Sequence, residues 1–209
     1  MNHLDSVLDI ISIDFGFFGS RKWSKNYSKK LHLVVMPEKS LKTTIAQKFN
    51  MDQDIFVLCI DDLIKNLLNQ DRLEQLEKFR NFEQPTYRIC ISNILKLYLP
   101  KYIDSLPNKK AKIVLIHDDI GIAFSLEIKT THIHKAAPGT EFFDIIIKNL
   151  EEKGIPLSQD DLDRMTIERN VFLQQEDTNV FNDFGQIIGF IASWTGFANK
   201  VPSLIKDFL

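Results

Sequence analysis

Hydrophobic and polar positions along this chain keep two rhythms. LHLVVM (31 to 36), IFVLCI (55 to 60) and KIVLIHDD (112 to 119) are short, nearly continuous apolar runs, the pattern of strands covered on both faces. Between them, DDLIKNLLNQDRLEQLEKF carries Leu63, Leu67, Leu73 and Leu76 at roughly helical spacing with charges between. Residues 41 to 49 fit a short helix. After Pro85, TYRICISNILKLYLPKYIDSL predicts an apolar helix broken near Pro100. FSLEIKTTHIH alternates, with Phe124, Leu126 and Ile128 on one side, and predicts a half-exposed strand.

The last third reads as helical. One helix opens at Thr140 and stops at Gly154, a second opens at Ser158 with acids in its first turn, and FGQIIGFIASWTGFA makes a third, with a short one after Pro202. Residues 3 to 18 suit a short helix and a strand. Strand and helix alternating from 31 to 130 predict an α/β fold with a mostly parallel central sheet flanked by helices and a helical C-terminal layer. The expected organisation is a single domain over 1–209, sheet-containing over 1–135 and helical over 136–209.

Length and composition change this picture little. With 209 residues and 44% hydrophobic content the chain can bury a full core. A net charge of -2 excludes a global field that would draw it to nucleic acid or an anionic membrane. Cys59 and Cys90 each sit in an apolar run, so a disulfide framework is not expected. No signal-peptide pattern or transmembrane run appears, which predicts a cytoplasmic protein.

The candidate chemistry lies at residues 36 to 43, MPEKSLKT, which resembles a Walker A loop: Gly, four residues, Gly-Lys-Ser/Thr. LHLVV supplies a preceding strand, KTTIAQKF a following helix, and VLCIDDLIKNLL a second strand ending in acids. That layout resembles the opening of P-loop nucleoside and nucleotide kinases, including the adenylate-kinase group, over about 31–68 and 112–119. The resemblance implies that Lys42 reaches the β and γ phosphates of ATP, Thr43 ligates Mg²⁺, and Asp61 or Asp62 faces the phosphate acceptor. KIVLIHDD would be the Walker B strand, with Asp118 or Asp119 at the metal. Arg164 and Arg169 are candidates for a lid.

Met36 and Leu41 stand where the loop glycines should be, placing side chains where a phosphate would lie. The expectation is therefore a degenerate loop with no cofactor, on a non-catalytic interaction or assembly subunit. ATP and Mg²⁺ belong to the alternative, a phosphotransferase.

Three other groupings are candidates. His132 and His134 would share one face of a strand, and His117 and Asp118 extend them to a conceivable metal site. Arg21, Lys22, Lys25, Lys29 and Lys30 surround Trp23 and Tyr27, a combination that suits single-stranded nucleic acid over residues 20–30. Gly185, Gly189 and Ser193 recur every four residues beside Trp194, giving a helix face that another protein or a second copy can approach closely.

Overall fold

The computed structural model describes residues 23–49, 55–108 and 111–195. The expectations for residues 3 to 18, for Arg21 and Lys22, and for the helix after Pro202 lie outside the described residues. So does the Trp194 side chain.

After a short helix α1 (Lys25–Ser28), the chain enters β1 (Leu31–Val35), α2 (Lys42–Phe49) and β2 (Ile55–Cys59). Then come α3 (Ile60–Leu67), α4 (Gln70–Phe82), α5 (Gln84–Ser105) and β3 (Lys112–His117). A short α6 (Gly121–Ser125) and a 3₁₀ turn (Thr130–His132) lead to β4 (Ile133–Pro138), α7 (Thr140–Glu152) and α8 (Gln159–Leu173). The last elements are β5 (Thr178–Phe181) and α9 (Phe184–Thr195). The sheet is parallel throughout, in the order β2-β3-β1-β4-β5.

Side chains of β1 and β3 alternate between two cores. Leu31, Leu33, Val35, Ile113 and Leu115 face one side, where α3, α5 and α6 lie; Val34, Val114 and Ile116 face the other, against α2 and α9. A third, smaller cluster joins Leu41 to Phe142, Ile146, Leu150 and Met165. The connection leaving β1 thus packs on one face of the sheet and the connection leaving β3 on the other. The carboxyl ends of these neighbouring strands therefore diverge and leave a crevice at the topological switch point.

Several elements depart from the sequence expectation. FSLEIKTTHIH is not a strand: Phe124 lies in the short α6, which ends at Ser125, and the strand begins at Ile133. Ile122, Ala123, Leu126 and Ile128 all join the core, a burial that a helix and turn achieve as well as a strand. Pro100 does not break α5; it is buried inside the helix beside Leu99 and Ile103. Interior proline costs about 3 kcal/mol in helix propensity, which the long apolar face of α5 offsets. Residues 60–82 form two helices, and Asn69 caps the second by accepting from the Arg72 N–H at 3.1 Å.

Gly139, not Thr140, caps α7. A Cβ at 139 would fall 2.2 Å from Asn182 Oδ1, so a larger residue there would have to displace the Asn182 side chain. Ser158 does cap α8, in a reciprocal box with Asp161. The part read as helical also contributes β5 to the sheet. Among the described residues no helix is long and apolar enough to cross a membrane.

Candidate functional site at the ends of β1, β2 and β3

The loop between β1 and α2 leaves the sheet through Met36, whose N–H donates to the His117 carbonyl at 2.9 Å and ties the loop to β3. Lys39 (φ 54°) and Leu41 (φ 61°) are both left-handed, with Ser40 between them at negative φ and its hydroxyl bonded to the Pro37 carbonyl at 2.7 Å. Alternating handedness turns successive N–H groups toward one side, the geometry of an anion nest. Leu41 adopts this conformation without glycine because its side chain, 9% exposed, is anchored in the third apolar cluster. A left-handed non-glycine residue costs roughly 1 to 2 kcal/mol, and burying a leucine returns about 1.5 to 3 kcal/mol. A cavity of about 520 Å³ adjoins residues 39 to 44.

Lys42 opens α2 and is buried. Its Nζ lies 3.4 Å from Asp61 Oδ2, at the start of α3, and 3.6 Å from Asp118 Oδ1, just beyond β3. Arg80 reaches in from α4, donating to Asp118 at 2.8 Å and to Glu38 at 2.7 Å, with Asp61 at 3.7 Å and its guanidinium over the Tyr87 ring. Burial opposes ionisation of Asp61, but the His117 hydrogen bond and the charges of Lys42 and Arg80 outweigh it and hold the carboxyl well below the usual range. Asp118 is lowered despite burial, Lys42 and Arg80 being the cations beside it. Burial would depress Arg80, but Asp118, Glu38 and Asp61 raise it above its ordinary value.

His117 is fully buried beneath these groups. Its Nδ1 accepts from the Asp119 N–H at 2.9 Å, which places the ring proton on Nε2, facing Tyr87 Oη at 3.3 Å and Asp61 at 3.4 Å. Asp118 Oδ1 lies 3.1 Å from the Nδ1 lone pair and has no hydrogen-bond partner among the described residues. Asp61, His117 and Asp118 bring ligand atoms within 4.8 Å of one another. Because the His117 Nδ1 is already occupied and Nε2 is protonated, the two carboxylates are the donors ready for a cation. Around Lys42, the carboxylates of Asp61, Asp118 and Glu38 outnumber the charges of Lys42 and Arg80 by one, which leaves the cluster net negative.

The fold thus brings Lys42, Asp61 and Asp118 together. Thr43 is beside them, with its hydroxyl 4.0 Å from Cys59 Sγ, and Asp62 lines the cavity over the loop. Asp119 is turned away, paired with Arg88 at 2.5 Å and accepting from the Gly121 N–H. On α8, Arg169 bonds the Pro138 carbonyl and packs over Phe143, a structural role, while Arg164 is exposed near Glu38 and Lys39. Two α8 acids also touch the loop: Asp161 pairs with Lys39 at 2.5 Å, and Glu168 accepts from the Glu38 N–H at 3.0 Å.

His132 and His134 do not join His117. They flank His32, whose Nδ1 lies 3.3 Å from His134 Nε2 and whose ring stacks on His132 at 4.2 Å. His134 pairs in register with Val34, whereas His117 pairs with Val35, so the two groups occupy opposite faces of the sheet. Trp23 and Tyr27 pack against the larger core, and Tyr27 bonds Asp104 at 3.2 Å. On α9, Ile187, Ile188, Ile191 and Ala192 are buried, Gly185 and Gly189 are half-buried and Ser193 is exposed.

Sequence reasoning missed Arg80, Tyr87, His117 as a support of Asp61, and the loop contacts of Glu38 and Glu168. Arg80 carries no local signal, since it reads as one charge among many on an exposed helix. A second cavity, about 300 Å³, shares Lys42 and Asp61 with the first and continues between Leu73, Leu76, Arg80 and Tyr87. No protein-family model matches this chain, and no curated protein matches it at a significant level.

Proposed function

We propose that this protein is a nucleoside-triphosphate-dependent phosphotransferase of the P-loop kinase type. The observation that carries the reading is Lys42, set at the end of a doubly left-handed loop and held between carboxylates from the ends of the two neighbouring strands. The loop N–H groups and Lys42 are suited to the β and γ phosphates of ATP. Thr43 and Asp118 are the residues placed to hold Mg²⁺, which supplies neutralising charge at the phosphates. Asp61 faces the acceptor.

Bulk at positions 36 and 41 favoured a scaffold without catalysis. Met36 and Leu41 are both buried in apolar clusters, and the cavity over the loop supports a working site instead. The test is thermal stability with and without ATP and Mg²⁺. Ligand at 100 times its Kd stabilises by about 2.7 kcal/mol, and Lys42→Ala should abolish that gain while still melting cooperatively. A wild-type melting curve indifferent to millimolar ATP and GTP would sink the reading.

An interaction role is a second reading, favoured by Ile167 and Val171, exposed one turn apart on α8, with Val180 exposed on β5. Together with the small face of Gly185, Gly189 and Ser193 they suit a protein partner or a second copy. Light scattering of Ile167→Lys and Gly189→Leu against wild type distinguishes assembly through these faces from a monomer.

A further inference from the structure

Resting on the phosphotransferase reading, we propose that the acceptor is an uncharged, hydroxyl-bearing compound of nucleoside size rather than a phosphorylated one. It occupies the cavity of about 300 Å³ that begins at Lys42 and Asp61 and runs between α3, α4 and α5. The volume admits a sugar and a flat ring. Ile64, Leu73 and Leu76 give it an apolar wall suited to a ring without charge.

Charge decides the class. A phosphomonoester brings nearly two negative charges and needs a cation able to turn to it. Arg80 is the guanidinium on this cavity, and it is already held by Glu38 at 2.7 Å and Asp118 at 2.8 Å, with Asp61 at 3.7 Å and Glu77 at 3.8 Å. Turning Arg80 to an incoming phosphate would strand Asp118 and Glu38. Glu38, Asp61 and Glu77 also line the cavity and would repel an anion there. Lys39 and Lys65 line the same cavity as well, but Lys39 is paired with Asp161 at 2.5 Å and Lys65 is exposed, where its charge is screened by water.

A hydroxyl, by contrast, meets what it needs. The Asp61 carboxylate is fixed between Lys42 and the protonated nitrogen of His117, on the boundary shared by the two cavities. The acceptor oxygen attacks the γ-phosphorus of the nucleoside triphosphate and the bond from that phosphorus to the β–γ bridging oxygen breaks. The hydroxyl proton passes to Asp61 and then to solvent. The products are a phosphate monoester and a nucleoside diphosphate.

The experiment offers the full chain ATP, Mg²⁺ and, in parallel, common ribo- and deoxyribonucleosides or their 5′-monophosphates, with products read by mass. Calorimetric titration of the nucleosides without ATP gives a readout independent of turnover. A nucleoside that binds and gains one phosphate, with its monophosphate at least about tenfold poorer, supports the proposal. Asp61→Asn should lower that turnover roughly 100-fold or more. Preferred phosphorylation of a monophosphate overturns the acceptor class and leaves the phosphotransferase reading standing. An ATP-stabilised protein that neither binds nor phosphorylates any nucleoside also overturns it, and absence of ATP stabilisation removes the underlying reading.

Discussion

Arg80 donates to Asp118 at 2.8 Å, so a helix inserted between β2 and β3 supplies the cation that neutralises the end of β3. Its side chain is 17% exposed, and losing it would leave Asp118, Glu38 and Asp61 facing one another with Lys42 as the near counter-charge. Arg80→Ala should therefore destabilise by about 2 to 4 kcal/mol at pH 7. The Asp61 and Asp118 pKa values are depressed in the folded protein, so their stabilising effect is present above the ordinary carboxyl pKa near 3.8 and is lost as pH falls below it. The gap between variant and wild type should accordingly narrow in acid. Urea midpoints at pH 7 and at about pH 2.5 measure both; a gap that widens in acid would contradict the charge argument.

The loop offers a comparison of two left-handed residues. Leu41→Gly relieves about 1 to 2 kcal/mol of backbone strain but empties a buried leucine site, which costs about 2 to 5 kcal/mol, so net destabilisation is expected. At Lys39 the side chain is 34% exposed and its pair with Asp161 is screened by solvent, so it contributes little. Lys39→Gly should be neutral to slightly stabilising. If instead Leu41→Gly proves the more stable of the two, the apolar anchor does not hold the nest.

On the opposite face of the sheet, His32 is held neutral, its pKa pushed down to about 3 by burial, reinforced by His132, Lys112 and His134. Burial and His132 lower His134 to about 4. Between the ordinary value of 6.5 and these folded values, the unfolded chain takes up protons that the native state refuses. Stability should fall as pH drops from 7 toward 4, by on the order of 1 kcal/mol per histidine at pH 5 after allowing for partial solvent contact. His32→Gln should flatten that slope. An unaltered slope would place the acid sensitivity elsewhere.

Divalent binding gives a fourth test. Ca²⁺ or Mg²⁺ without nucleotide should raise the melting temperature modestly, because Asp118 Oδ1 is buried without a hydrogen-bond partner among the described residues. Asp118→Asn should remove that gain, whereas Asp119→Asn should keep it, since Asp119 is committed to Arg88 and Gly121. Equal loss in both variants would show that the cation lies elsewhere.

Apolar runs at 31, 55 and 112, with helical spacing between them, determined the α/β class and three of the five strands, because burial on both faces leaves a local imprint on each segment. The loop and its lysine were legible for the same reason, as a turn between a strand and a helix. Local pattern misread FSLEIKTTHIH and passed over TNVF, where two-sided burial and edge position erase the distinction between strand and turn. Only the tertiary structure decided that β3 lies beside β1, which of the paired acids faces Lys42, that Arg80 arrives from α4, and that Leu41 points into an apolar cluster rather than the nest. Those outcomes depend on contacts between segments far apart in the chain, and on whether remote burial outweighs local strain; neither quantity is carried by any single stretch of residues.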